Sequence, residues 1–351
     1  MPWLALLHLT RAILPRGPGT MSSAELDGPS WAQTWFRWDA GWYWRIIHDG
    51  FTASNCGSPE GPCQQASISF FPSFPLAVRL LARTGLPVTL ASLLFNSVCL
   101  VLALWALKRL TRRLLGDETA AVAGWVLLAY PSTVFFSAGY AESLFAASTL
   151  WACALIAEGR AWPAASLLAL GALSRPHGLV LVAACVLGAT LRRQWSRAVI
   201  LAVVPGVAVA AYIAWQQHAF GDPLAFIHAR RAWIAPVPPL MNIRQYWDTA
   251  SGQLTPLLLL DFSSVGLLAA TAAWAFRKLP AEYGLYTLLL LAMPLSQGQV
   301  WGLGRAALGA FPVFLLFASL ATPPRRGPML AFGLSWATLM GVFFVNGYPV
   351  G

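Results

Sequence analysis

Ten apolar runs, joined by short basic connections, constrain this chain more than any other feature. Eight approach spanning length, at about 88–107, 119–136, 140–157, 197–217, 254–275, 281–296, 302–321 and 328–347. Two shorter runs, 162–174 and 177–190, flank Ser174-Arg-Pro-His-Gly178. A membrane-crossing helix needs about 20 predominantly apolar residues. With 58% hydrophobic and 10% charged residues, the chain lies far from the roughly 25% charged content of a soluble domain. The pattern predicts an all-α polytopic membrane protein, a single domain over residues 1–351 with about 10–11 transmembrane helices.

The net charge of +10 would suit a nucleic-acid binder, but its placement does not. Lys108, Arg109, Arg112, Arg113, Arg160, Arg192, Arg193, Arg197, Arg277, Lys278, Arg325 and Arg326 all fall between apolar runs. With 162–174 and 177–190 counted as two short helices, every cluster lands on one side, which the positive-inside rule makes cytoplasmic. The polar segments 16–87 and 218–253 then become the first and second extracytoplasmic loops. Residues 2–15, with His8 and Arg11, supply only a short first helix. Cysteine-accessibility labelling is expected to find 108–118, 191–197, 277–280 and 322–327 inside and both long loops outside. An outward-facing 108–118 or 277–280 connection would overturn this topology.

Chemistry belongs in those loops. Trp35-Phe-Arg-Trp-Asp-Ala-Gly-Trp-Tyr-Trp-Arg-Ile-Ile-His-Asp-Gly-Phe51 is polar and tryptophan-laden. If 35–48 is helical, Trp35, Trp38, Asp39, Trp42 and Ile46 share one face, with a carboxylate inside an aromatic stripe. Two readings of Asp39 stand: a helix cap ahead of Ala40, or a catalytic base at the membrane interface. Phe70–Arg83, with Pro72 and Pro75, reads as an interfacial helix whose Arg79 and Arg83 snorkel. Cys56 and Cys63 bracket a Gly/Pro-rich turn and are expected to form a local disulfide outside the cytoplasm. Cys99, Cys153 and Cys185 read as buried apolar groups. No Cys/His spacing resembles a zinc site, and Glu25-Leu-Asp27 reads as a solvated acidic pair. The chain is expected to need no cofactor, with a divalent cation left open.

Several motifs, in order, carry a resemblance. Arg37-Trp-Asp-Ala-Gly-Trp-Tyr-Trp-Arg-Ile-Ile-His-Asp-Gly-Phe51, Phe70-Phe-Pro-Ser-Phe-Pro75, Ser137-Ala-Gly-Tyr-Ala-Glu-Ser-Leu-Phe145 and Ser174-Arg-Pro-His-Gly178 resemble the PIG-V family of GT-C mannosyltransferases, in particular its bacterial relatives. Weaker similarity continues through Gly221-Asp-Pro-Leu-Ala-Phe226, Gln245-Tyr-Trp247 and Gly304-Arg-Ala-Ala-Leu-Gly-Ala-Phe-Pro312. The resemblance implies a GT-C-like bundle in a bacterial inner membrane. It implies transfer of a sugar, typically mannose, from a polyprenyl phosphate to a hydroxyl on a lipid or glycan acceptor outside. Its Trp-Asp-Ala aspartate matches Asp39 as general base. Relatives often carry His directly before the Gly-Tyr that corresponds to Gly50-Phe51; here Asp49 takes that place and His48 precedes it.

The remaining candidates follow from chemistry. Departing phosphate calls for cations, and Arg175 and Arg305 stand apart from the cytoplasmic clusters. Each could instead be neutralised by an internal partner, Arg175 by Glu142 or Arg305 by Asp261. Glu142, Trp38, Trp42, His48 and Asp49 complete the candidate substrate-binding set. Arg230, Arg231 and Arg244, beside Trp233, Tyr246 and Trp247, read as a solvated interfacial loop, with contact to the acceptor or a headgroup as the alternative. The rival class, a transporter or flippase of lipid-linked sugars, should show internal repeats, and none is evident.

Overall fold

The computed structural model describes residues 9–10, 13–14, 17, 25–53, 64–233, 238–251 and 256–350. Cys56 and Cys63, and with them the expected disulfide, lie outside the described residues. A single helical turn, Ser30–Gln33, and two longer helices, α1 (Asp39–Asp49) and α2 (Ser73–Ala82), precede the bundle. The bundle runs α3 (Val88–Leu115), α4 (Asp117–Leu128), α5 (Glu142–Ala157), α6 (Ala161–Ala172), α7 (Pro176–Leu191) and α8 (Trp195–Phe220). After α9 (Pro239–Ser251) come α10 (Pro256–Lys278), α11 (Ala281–Leu295), α12 (Pro312–Leu320) and α13 (Pro323–Val345). Every apolar run becomes a helix, and among the described residues no strand element forms.

Four helices, α3, α8, α10 and α13, are long and apolar enough to cross a membrane. Their outward faces carry Val98, Val101, Trp105, Val199, Val203, Val207 and Phe332, a surface that suits lipid and would drive aggregation in water. The helices α2, α5, α6, α7 and α11 are apolar but shorter. Two of the expected runs break. Pro131 lacks an amide hydrogen and ends α4, so 119–136 becomes α4 and a 3₁₀ turn, Pro131–Phe136. The run 302–321 becomes a short helix, Leu303–Ala306, and α12, with Pro312 at the start of the second.

Antiparallel hairpins sort the charges to two ends. At one end Arg109 meets Glu158 at 2.5 Å, and Arg192 makes a bidentate pair with Glu282 at 2.9 and 2.8 Å. The opposite end holds the starts of α5 and α7 and the end of α13. Polar groups inside the bundle are satisfied by backbone: buried Asn96 of α3 donates to the carbonyls of Ala138 and, at 3.0 Å, Tyr140. Gly178 lets α7 pack directly on α6, because a Cβ there would collide with the Gly171 carbonyl. Asp27 is no solvated acid. Its carboxylate accepts from the amides of Val88 and Thr89 (3.1 Å) and the Trp44 indole (3.1 Å), closing the start of α3.

Candidate active site

Four ionised side chains meet at the end opposite the basic connections. Asp39 opens α1, Glu142 opens α5, Arg175 precedes α7, and Arg305 sits in the short helix Leu303–Ala306. Arg305 donates from Nη1 to Asp39 Oδ2 at 2.7 Å and from Nε to Glu142 Oε1. Arg175 Nη1 also reaches Glu142 Oε1. Glu142 is 2% exposed, while Asp39 keeps 33% of its side chain open. The deep carboxylate is therefore shared between two guanidiniums and the outer one remains accessible. Glu142 Oε2 is buried without a hydrogen-bond partner.

Aromatic rings fix the cluster from below. The Arg305 guanidinium lies 4.5 Å from the Tyr140 ring centre and 4.8 Å from that of Phe135. Tyr140 donates its hydroxyl to the Arg37 carbonyl at 2.7 Å, and Arg37 Nη2 reaches the Val345 carbonyl at 3.1 Å. Tyr43, buried on α1, packs edge-on against Phe70 and Phe74. These contacts hold the start of α1 between α2, the 3₁₀ turn and the end of α13.

The backbone at this point departs from expectation. The helix starts at Asp39 rather than Ala40, Trp38 supplies no side-chain cap, and Asp39 turns to Arg305. The capping reading of Asp39 is thereby overturned. Trp38 has φ 52° and ψ −121°, the dihedrals of the first central residue of a type II′ turn, closed by Ala40 N–H to Arg37 C=O at 3.1 Å. Glycine favours that position, and a tryptophan there is strained. Its indole is 39% exposed beside Asp39. The single aromatic stripe does not form either, because Trp35 precedes the helix and is buried against Phe344.

The other candidates divide. Trp42 stacks on Phe70 with ring centres 6.1 Å apart and meets Trp233 edge-on at 5.9 Å, walling the approach to Asp39. His48 and Asp49 pair with each other at 3.0 Å on the exposed far end of α1, about 15 Å along the axis from Asp39. They stand outside the cluster. Arg175 has Glu142 as its partner, as the structural alternative allowed. Asp261 does not pair with Arg305. It is buried and accepts from Tyr246 Oη (2.8 Å) and the amides of Gly302 (3.1 Å) and Gly304 (2.9 Å). Asp261 is thus a positioning residue that folds the turn carrying Arg305. A carboxylate inside an apolar run was its sequence signal.

Two further residues take places that the sequence reading did not favour. His177, in Ser174–Gly178, is buried beside Phe145 with Nδ1 unpartnered, within electrostatic reach of Arg175, Arg230 and Arg305. Arg230, expected on a solvated surface, is half-buried and within electrostatic reach of Arg175 and Asp39. Burial, and then the like charge of Arg175, push its guanidinium below the ordinary arginine value, while Asp39 opposes the shift.

Parts of the chain are similar to known proteins. The family described as Mannosyltransferase (PIG-V) matches residues 30–202, which contain Asp39, Glu142 and Arg175. GPI alpha-1,6-mannosyltransferase 2 from Rattus norvegicus is 34% identical over 159 residues, 42% of this chain and 30% of that protein. The Homo sapiens counterpart is 33% identical over 153 residues, 40% of this chain and 30% of that protein. The chain thus matches less than a third of these curated relatives' length. The crystal structure of ArnT from Cupriavidus metallidurans bound to undecaprenyl phosphate superposes with a TM-score of 0.58 at 13% identity, covering 95% of this chain and 62% of that one. Matched in sequence through most of its amino-terminal half and in fold along nearly all its length, the chain is similar to the PIG-V mannosyltransferase family and has a GT-C membrane fold.

Proposed function

We propose that this protein is a glycosyltransferase that moves a sugar, mannose by family likeness, from a polyprenyl phosphate to a hydroxyl acceptor at the extracytoplasmic face. The observation that carries this reading is the Asp39 carboxylate, one oxygen held by Arg305 at 2.7 Å and the side chain still a third open. Among the described residues Oδ1 accepts no hydrogen bond. The acceptor hydroxyl would give its proton to Asp39 as its oxygen bonds to the anomeric carbon. The carbon–oxygen bond to phosphate breaks, and the phosphate leaves with the electron pair. Arg305 holds Asp39 in place, a positioning role, and Glu142 is a shared counter-ion for Arg305 and Arg175. A polyprenyl carrier fits the lipid-facing surface of the bundle and the undecaprenyl phosphate bound by ArnT.

The test is transfer of radiolabelled mannose from polyprenyl-phosphate mannose by the purified protein in lipid nanodiscs. Polyprenyl phosphate must appear in step with glycosylated acceptor; mere movement of the donor across the bilayer would favour the transporter class.

Trp38 offers a second measurement. A strained turn residue costs on the order of 1–3 kcal/mol, and glycine returns part of this as chain entropy, about 0.5–1 kcal/mol. Trp38→Gly is therefore expected to unfold at or above the wild-type temperature. Loss of the exposed indole should raise the KM for a sugar substrate about threefold to tenfold. A lowered melting temperature with unchanged KM would make Trp38 merely structural.

A further inference from the structure

Resting on the donor assigned above, we propose that Arg230 is a substrate-binding residue: with Arg175 it receives the phosphate of the lipid carrier over Asp39. Arg230 follows the short helix Ala225–Ala229 and starts a 3₁₀ turn, Arg230–Ala232. That segment is fixed on both sides. Ala225 and Ala229 pack with Ala66 and Ile68, and Phe51 closes the same cluster. Trp233, three residues on, lies edge-on to Trp42 at 5.9 Å and to Phe70 at 6.0 Å. Trp42 is in turn one helical turn from Asp39. The segment that carries Arg230 is thereby held against α1 and Phe70, within electrostatic reach of Arg175 and Asp39.

Charge completes the argument. Arg175, Arg230 and Arg305 share one neighbourhood with Asp39 and Glu142. Three guanidiniums face two carboxylates, leaving one positive charge in excess. The carboxylates are committed to Arg305 and Arg175, and among the described residues Arg230 makes no ion pair or hydrogen bond. A half-buried guanidinium beside a like charge is unfavourable unless an anion joins it. Phosphate matches that geometry, because its oxygens can accept from two guanidiniums at once.

The test measures affinity of wild type, Arg230→Gln and Arg230→Lys for undecaprenyl phosphate and for undecaprenol in nanodiscs, by quenching of tryptophan fluorescence. Phosphatidylglycerol serves as a competing phosphodiester lipid. Arg230→Gln should weaken undecaprenyl phosphate binding about tenfold to 100-fold, the range for a lost charge-assisted hydrogen bond, and leave undecaprenol binding unchanged. Arg230→Lys should recover part of the loss. Equal loss for both ligands would show that the change acts on the tail or the fold, and the proposal falls. It falls too if phosphatidylglycerol competes as well as the prenyl phosphate, since the cation would then serve ordinary headgroups. If wild type prefers the phosphate and Arg230→Gln keeps that preference, only the role of Arg230 is lost. If wild type shows no preference for phosphate over alcohol, the donor reading itself is lost.

Discussion

Asp39→Asn should slow sugar transfer by 10²–10⁴, about 2.7–5.5 kcal/mol in the barrier, the range for removing a general base. Asparagine has the shape of aspartate and keeps an oxygen that can accept from Arg305 Nη1, so the start of α1 should survive. Arg305 also retains Glu142 as a partner, which keeps its charge compensated in the variant. Folding, membrane insertion and affinity for undecaprenyl phosphate should therefore stay near wild type while turnover collapses. The measurement is single-turnover transfer from radiolabelled donor beside a thermal unfolding curve. Activity within a few-fold of wild type would remove the base role. A matched loss of activity and stability would make Asp39 a structural counter-ion for Arg305.

Glu142→Ala should have the largest effect on stability. One buried carboxylate serves two arginines, and its removal leaves both guanidiniums short of a partner. Breaking a buried pair by deleting one member costs about 3–5 kcal/mol, much of it the penalty of the orphaned charge. The variant should unfold well below wild type in detergent and lose activity with it. Combining it with Arg305→Met should restore part of the stability and none of the activity, because one of the two guanidiniums that lost Glu142 is then removed, although Arg175 still lacks its carboxylate. Wild-type stability in Glu142→Ala would show that solvent or lipid already neutralises the arginines.

Much of this architecture can be seen in the chain before folding. The period and length of the apolar runs foretell the helices, because lipid leaves the backbone no partner but itself. The placement of Arg and Lys foretells which helix ends lie together. Glu142, Arg175 and Arg305 stood out as charges at the edges of apolar runs, where isolated charge needs a reason, and Asp39 as a carboxylate among tryptophans in the first polar segment. Boundaries were less legible. Nothing in 119–136 or 302–321 besides its prolines and glycines says that the run will break, and the strained turn at Trp38 defeats a helical reading of 35–48.

Partnership was illegible. Arg305 pairs with residues 266 and 163 positions away in the chain. Sequence offered Asp261 as its nearer acid, yet tertiary packing spends that carboxylate on Tyr246, Gly302 and Gly304. His48 and Asp49 looked as eligible as Asp39 because they share its helix, but ten residues of rise carry them to the opposite end of α1. Arg230 was indistinguishable from its neighbour Arg231 until Trp233 docked on Trp42 and Phe70. Hydrophobic pattern is local and additive, so the sequence alone determined the membrane class, the helices and the short list of charges. Which charges meet depends on packing between segments far apart in the chain, and only the tertiary structure decided that Arg305 joins Asp39 to Glu142 while Arg230 is left without a partner.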